Sequence, residues 1–154
     1  MTMISLDSVE WEEFNIKDIF DIFTGYLINN NIIKDGFDPR ITATNNNNGI
    51  AIFTNKLSSN ARYFSNFISI SFLGSVFYQE YKASLDMKIH GIKPKNIKLN
   101  KYIALFLIPC IKKFTFNYNY GYQLSTSILK TQKLKLPIDT QGNPNWRFME
   151  EYIK

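Results

Sequence analysis

A short polar segment around residue 40 carries side chains that could read the edges of nucleic-acid bases. Arg40 and the alternating Thr42 and Thr44 lead directly into Asn45 and Asn46. In the major groove a guanidinium pairs with guanine, a carboxamide pairs with adenine, and a hydroxyl can bond to either. The same short polar side chains also suit a tight turn beside a strand, so the residue types alone leave both interpretations open.

Positive charge is concentrated in the second half of the chain. The net charge is +5, yet residues 1–40 hold eight acids and three bases, whereas residues 81–135 hold one acid and eleven bases. Such a segment creates a positive field that suits a polyanion, although it could also be a solvated lysine-rich surface. We predict that Lys82, Lys88 and Lys93 hold phosphates. Four further side chains from this segment complete the candidate DNA contacts: Ser84, His90, Tyr120 and Gln123.

Motifs for catalysis are scarce in the sequence. Glu80, Asp86 and Lys88 supply the carboxylates and lysine of a metal-dependent nuclease, but Asp-x-Lys spacing is common by chance and Asp86 could simply offset lysine repulsion. The sequence has no glycine-rich phosphate loop, no Gly-x-Ser-x-Gly elbow and no dinucleotide-binding fingerprint. Because Cys110 and His90 are its sole cysteine and histidine, the chain alone cannot build a Cys/His zinc site. We therefore expect no catalytic residue, no metal and no cofactor.

The 154 residues are sufficient for one domain with a substantial core. Hydrophobic residues make up 45% of the chain and charged residues 20%, which excludes the disordered and collagen-like classes. The longest apolar runs, 68–76 and 102–111, are too short or too polar to cross a bilayer, and the first residues lack the pattern of a secretion signal. A single cysteine excludes an internal disulfide, so we expect a cytoplasmic protein without membrane contact.

Helices and strands must position these polar segments. Apolar residues at helical spacing predict a short amphipathic helix over 15–23. Asn100 is a suitable cap for a buried helix over about 100–108, which Pro109 should kink or end. Aromatic residues at period two over 114–122 indicate a strand, and further strands are predicted over 39–44, 49–54, 66–73, 75–81, 88–97 and 134–138. With a C-terminal helix, this order predicts a mixed α/β (α+β) fold: a single globular domain with a small twisted, mostly antiparallel sheet.

Several stretches, taken in their order and spacing, resemble the target recognition domains of restriction–modification specificity subunits, of Type I or the related Type IIB-like form. The resemblance covers most of the chain and is clearest at 74–79 (Gly-Ser-Val-Phe-Tyr-Gln) and 99–108. The other matching stretches are 11–14, 19–25, 39–44, 48–50, 113–114, 120–122 and 133–138. In that family a Leu-Pro segment ends the globular domain and a long spacer helix follows. The resemblance thus implies a target recognition domain at 1–143 and the start of a spacer-type helix at 144–154.

What the resemblance implies is a non-catalytic reader of double-stranded DNA. Such domains present loops and strand ends to the major groove and direct a partner methyltransferase and a restriction subunit to one half of a split site. This chain has one such domain and no long spacer helix. It is therefore expected to be either a half-length subunit, which pairs with itself or with a second recognition domain through its C-terminal helix, or a fragment. Two other functions stay open from the residues: a small metal-dependent DNA nuclease, and a protein-interaction module of a phage or prokaryotic restriction system.

Overall fold

The computed structural model describes residues 4–28, 32–57 and 62–154. Within these ranges the helices are α1 (Ile16–Ile19), α2 (Lys101–Thr115), α3 (Thr126–Lys130) and α4 (Trp146–Ile153). The strands are β1 (Trp11–Asn15), β2 (Phe20–Thr24), β3 (Asp35–Ile41), β4 (Ile50–Thr54), β5 (Tyr63–Phe64), β6 (Phe67–Ser71), β7 (Val76–Gln79), β8 (Ala83–Leu85), β9 (Ile89–Pro94) and β10 (Lys133–Pro137). None of the helices in these ranges is long and apolar enough to cross a membrane.

The described strands are divided among three sheets. One is the pair β1-β10, the second has the order β2-β9-β6-β7, and the third has the order β4-β3-β8-β5. Among these pairings β3–β8 is parallel and the others are antiparallel. The predicted mixed class and mostly antiparallel pairing are confirmed, but the prediction of one small sheet is wrong. The strands separate because β8 pairs with β3 and β5 instead of with its sequence neighbours β7 and β9.

The main hydrophobic core lies between α2, α4 and the strands β6, β7 and β10. Helix α2 starts at Asn100, whose side-chain oxygen accepts a hydrogen bond from the Ile103 amide at 2.9 Å. Leu107 and Ile111 on this helix are fully enclosed, so the prediction of a buried helix is confirmed. A smaller cluster packs on the third sheet and holds the β3–β8 pair in place; it consists of Ile41, Phe67, Ala83, Leu85 and Ile89.

The predicted helix over 15–23 is wrong except for its central turn, α1. The residues before that turn pair with β10 and the residues after it pair with β9. Ile16 and Phe20 are nevertheless buried, as the apolar spacing required. Pairing with distant strands satisfies the backbone of β1 and β2 and outweighs the local preference for a helix.

Helix α2 continues to Thr115, beyond the predicted end at Pro109. Proline cannot donate to the carbonyl of Leu105, but both residues lie on the exposed side of the helix, where water can reach that carbonyl. The predicted aromatic strand over 114–122 is therefore wrong. Its first residues belong to α2, and the later ones form a tight turn.

The other sequence predictions of secondary structure agree closely with the described elements. Strands β4, β6, β7 and β9 lie within the ranges expected for them, and β10 begins one residue before its predicted range. Strand β3 ends at Ile41 inside the predicted segment 39–44. The C-terminal helix α4 is present, and the Asn145 side chain caps it by accepting a hydrogen bond from the Phe148 amide at 3.0 Å. Of the elements that flank the candidate site, the end of β3 and strand β9 agree with the sequence predictions, whereas β8 was not predicted.

Candidate nucleic-acid interface

The parallel pairing of β3 with β8 brings two polar segments to the same end of the third sheet. Arg40 lies opposite Ser84 and Ile41 lies opposite Leu85. The next amide, that of Asp86, donates to the Ile41 carbonyl at 3.0 Å. Because parallel strands finish at the same end of a sheet, the segment after β3 and the turn after β8 leave it side by side.

A third segment, the loop after α2, adjoins that turn. The Phe72 amide donates to the Lys88 carbonyl at 3.0 Å, and the Phe72 carbonyl accepts from the Leu124 amide at 2.7 Å. The Lys88 ammonium also donates to the Gln123 side-chain oxygen at 3.2 Å. We call the three adjoining segments, residues 42–48, 86–88 and 116–123, the polar edge.

The polar edge carries the threonine and asparagine side chains of the segment after β3. The Asn46 amide donates to the Thr44 hydroxyl at 3.2 Å, and the Thr42 amide donates to the Gly49 carbonyl at 3.0 Å. The two asparagines that follow Asn46 have positive φ angles of 50° and 57°, as expected for a loop that tolerates left-handed backbone. Asn45 and Asn46 are exposed and Thr42 and Thr44 are half-buried, so this segment presents carboxamides and hydroxyls to a partner.

An aromatic side chain projects from the third segment of the polar edge. The Asn119 side-chain oxygen accepts hydrogen bonds from the Gly121 and Tyr122 amides, at 2.8 and 3.1 Å, and closes a tight turn. Tyr120 at the tip of this turn is 84% exposed. The Tyr122 ring stacks on the buried Tyr118 ring with centroids 5.1 Å apart, which anchors the turn to the core.

Burial changes the interpretation of Arg40 and Ser84. Arg40 is only 2% exposed, and its guanidinium donates to the Ser84 hydroxyl at 3.2 Å and to the Tyr26 carbonyl at 3.0 Å. The Asp86 carboxylate lies 3.6 Å from the same guanidinium. Burial lowers the pKa of Arg40 and Asp86 opposes that shift. The prediction that Arg40 and Ser84 contact bases is therefore corrected, because a duplex cannot reach either side chain in this structure.

His90 is also withdrawn from the surface. Its side chain is fully buried, its ring stacks on Phe72 with centroids 4.5 Å apart, and its Nε2 lies 2.9 Å from the Leu124 carbonyl oxygen. Burial lowers the pKa of His90 to about 4, against a smaller opposing effect of the hydrogen bond to Leu124. The predicted DNA contact of His90 is corrected, since this side chain supports the loop that carries Tyr120 and does not reach solvent.

The three predicted phosphate-binding lysines do not lie together. Lys88 is exposed on the polar edge, whereas Lys82 lies before β8, at its other end, with its ammonium 5.3 Å from the centre of the Tyr63 ring. Lys93 lies opposite Asp21 near the far end of β9. The structure thus joins Lys88 to Gln123 and places the turn that carries Lys88 beside the first residues after β3. It leaves Lys82 and Lys93 elsewhere.

Several exposed residues of the polar edge are not among the predicted DNA contacts, and Phe116, Met87 and Tyr122 are the large apolar and aromatic ones. Met87 lies at the turn after β8 and Tyr122 lies beside Gln123, and both are largely exposed. The signal for Met87 was its place between Asp86 and Lys88, where an apolar side chain has little core to join. Exposed apolar groups beside hydroxyls and carboxamides suit contact with the methyl group of thymine.

The arrangement does not favour nuclease chemistry. One oxygen of Asp86 is held by the Arg40 guanidinium and also accepts from the Met87 amide at 2.8 Å. In the part of the chain that the structure describes, no group of three or more His, Cys, Asp or Glu side chains could hold a metal ion. The geometry therefore offers polar and aromatic contacts to a partner instead of a site for bond cleavage.

Comparisons with known proteins identify the family to which the chain belongs. The family described as "Type I restriction modification DNA specificity domain" matches residues 8–154. The chain is also 36% identical, over 152 residues, to the "Type II restriction enzyme BgcI specificity subunit S.BcgI" of Heyndrickxia coagulans. That alignment covers 97% of this chain and 44% of the relative. The chain therefore belongs to the family of Type I restriction modification DNA specificity domains.

Solved structures show the same fold at lower sequence identity. The S subunit of a Type-I restriction-modification system from M. genitalium matches with a TM-score of 0.67 and 16% identity, over 92% of this chain and 38% of that one. The HsdS subunit from Thermoanaerobacter tengcongensis matches with a TM-score of 0.63 and 13% identity, over 93% of this chain and 36% of that one. The chain thus spans less than half the length of these relatives.

Proposed function

We propose that this chain recognises a specific sequence in double-stranded DNA through the polar edge, and that it catalyses no reaction itself. The observation that supports this most directly is the parallel β3–β8 pair, which places the segment after β3 beside the turn that carries Lys88. Membership in a family of DNA specificity domains supports DNA as the partner. The nuclease and protein-interaction alternatives are not favoured by the family or by the engaged Asp86 carboxylate.

The chemistry of the polar edge divides between base reading and phosphate binding. Asn45, Asn46 and the hydroxyls of Thr42 and Thr44 supply hydrogen-bonding groups for base edges, and the ammonium of Lys88 supplies a charge for a phosphate. Tyr120 and Gln123 extend the contact from the neighbouring loop. Lys112, exposed in the last turn of α2 just before that loop, adds positive charge.

We further propose that the chain acts within a restriction–modification complex. The relatives are named as specificity subunits, and one solved structure concerns complex assembly of a Type I restriction–modification system. On this proposal residues 1–143 form the recognition domain and residues 144–154 begin a spacer-type helix. A methyltransferase subunit and a restriction subunit then act at the half-site that the domain selects, and α4 joins a second recognition domain or a second copy of the chain.

Selection from a randomised duplex library, with the chain alone and with its methyltransferase partner, tests sequence recognition. We expect enrichment of one short motif, and a library that stays random in both selections would refute the proposed function. The selected duplex and a scrambled duplex then provide matched probes for affinity. Fluorescence anisotropy over a series of potassium chloride concentrations measures both affinity and its dependence on salt.

Lys88 and Lys95 form a matched pair for locating the interface. They flank β9 at opposite ends, about 23 Å apart along an extended strand, and both are exposed. Lys88→Gln should weaken binding and reduce the slope of log K against log salt by about 0.9, the loss of one phosphate contact. Lys95→Gln should leave the affinity and the slope unchanged. If the two substitutions weaken binding equally, the duplex does not bind at the polar edge.

A further inference from the structure

We propose that Arg40 is a positioning residue that sets sequence specificity from beneath the polar edge, a role that rests on the proposed DNA recognition. Its guanidinium is buried where DNA cannot reach it, and it contacts three other segments of the chain. These segments are β8 through Ser84, the segment after β2 through Tyr26, and the turn after β8 through Asp86. Asp86 belongs to the polar edge, Ser84 precedes it by two residues, and the Tyr26 amide is bonded to the carbonyl of Leu85, the residue next to it.

The contact with Asp86 extends directly into the turn that carries Lys88. The oxygen of Asp86 that lies 3.6 Å from Arg40 also accepts a hydrogen bond from the Met87 amide at 2.8 Å. The next side chain, Lys88, donates to Gln123 at 3.2 Å. The guanidinium therefore connects, through one carboxylate oxygen, to two of the three segments of the polar edge.

The contact with Tyr26 stabilises the same region from the other side. The Tyr26 amide donates to the Leu85 carbonyl at 3.0 Å, while its carbonyl accepts from Arg40. The neighbouring Gly25 is packed so closely that a Cβ atom there would lie 1.9 Å from the Asp86 carbonyl oxygen. Arg40 thus holds the end of β8 between two segments, and its own strand continues into Thr42.

Arginine is required at this position for a chemical reason. A planar guanidinium donates in several fixed directions at once, whereas an ammonium acts as a single compact charge. Without the guanidinium, nothing joins Ser84, the Tyr26 carbonyl and the Asp86 carboxylate, so the segments of the polar edge lose their fixed arrangement. Base contacts depend on that arrangement more than phosphate contacts do, because only base contacts carry sequence information. We therefore expect loss of Arg40 to weaken the correct complex more than binding to other sequences.

The test compares Arg40→Lys, Arg40→Gln and Asp86→Asn with the exposed control Lys95→Gln beyond β9. For each full-length variant, thermal unfolding defines a temperature at which it is fully folded, and anisotropy then gives its affinity for the selected and the scrambled duplex. The ratio of the two affinities should fall about tenfold in Arg40→Gln, as much as one good base contact contributes. The ratio should stay low in Arg40→Lys, and Lys95→Gln should leave it at the wild-type value.

A double-mutant cycle separates positioning from simple stabilisation. If Arg40 acts through Asp86, the double variant Arg40→Gln/Asp86→Asn should lose no more specificity than Arg40→Gln alone. If Arg40→Gln does not fold, Asp86→Asn replaces it in the test. Asparagine keeps the shape of the aspartate side chain, and this variant should still lower the affinity ratio. An unchanged ratio in the folded variants would overturn the role of Arg40. A wild-type chain without sequence preference would instead overturn the proposed function.

Discussion

His90 should make the stability of this domain depend on pH in a window where few other groups titrate. The imidazole is fully buried against Phe72, and burial lowers its pKa from 6.5 to about 4. In the unfolded chain the imidazole binds a proton at its ordinary pKa. Between pH 6.5 and pH 4 the unfolded state therefore binds more protons than the folded state. The contribution of neutral His90 to stability is complete above pH 6.5 and is lost as the pH falls toward 4.

The size of this effect follows from the two pKa values. With values of 6.5 and about 4, lowering the pH from 7 to 5 should reduce the free energy of unfolding by about 2 kcal/mol. For a domain of 154 residues this corresponds to a decrease in Tm of about 4–8 °C. Carboxylates contribute little in this interval because their ordinary pKa values lie near 4.

Urea unfolding at pH 7, 6 and 5, on the wild-type chain and on His90→Phe, measures the effect. His90→Phe loses the hydrogen bond to Leu124, so its stability should be lower at pH 7, but the decrease between pH 7 and 5 should nearly disappear. Because His90 is the only histidine, its ring resonances also give its folded-state pKa directly by NMR. A measured pKa near 6.5, or an equal pH dependence in the variant, would refute the reasoning.

Exposed and packed positions of the chain should respond differently to substitution. Tyr120→Ala should change the free energy of unfolding by less than about 0.5 kcal/mol, because the side chain is 84% exposed, yet it should weaken binding to the selected duplex about tenfold. A Tyr120 variant that unfolds more easily but binds normally would contradict this. Gly74→Ala should cost more than about 2 kcal/mol, because φ is +96° and the new Cβ would lie 2.4 Å from the Thr115 carbonyl oxygen. Gly142→Ala is its control: φ is +80° but nothing lies within 4 Å, so only the backbone cost of about 1 kcal/mol is expected by thermal unfolding.

Local sequence patterns predicted the elements whose burial and pairing agree with them. The strand β6 is present, although all five of its residues are buried and not those of one face alone. The Asn100 cap of α2 and the left-handed asparagines after β3 are also present. The failures lie where two local patterns were equally compatible with the sequence. Residues 15–23 have helical spacing, but only α1 is helical and the residues on each side of it belong to strands. Local spacing could not reveal this, because the partner strands β9 and β10 lie more than 60 residues away in the sequence.

The sequence predicted the residue types of the candidate site but not which of its side chains are buried. The polar types around residue 40 correctly indicated a loop beside a strand, and the turn that carries Lys88 adjoins the start of that loop. The burial of Arg40 could not be predicted, since its partner Ser84 lies 44 residues away along the chain. A sequence shows that a guanidinium is present, but only the pairing of β3 with β8 determines that it points beneath the surface.

The separation of exposed side chains from buried, hydrogen-bonded ones explains how a recognition domain can keep its fold while its target changes. Asn45, Asn46 and Tyr120 are exposed, so substituting them alters the groups offered to bases at little cost in stability. Arg40 and His90 are buried and engaged, so substituting them moves the segments that carry the exposed groups. On the proposed function, sequence specificity then depends on two features of the domain: the identity of the exposed side chains and the buried contacts that hold them in position.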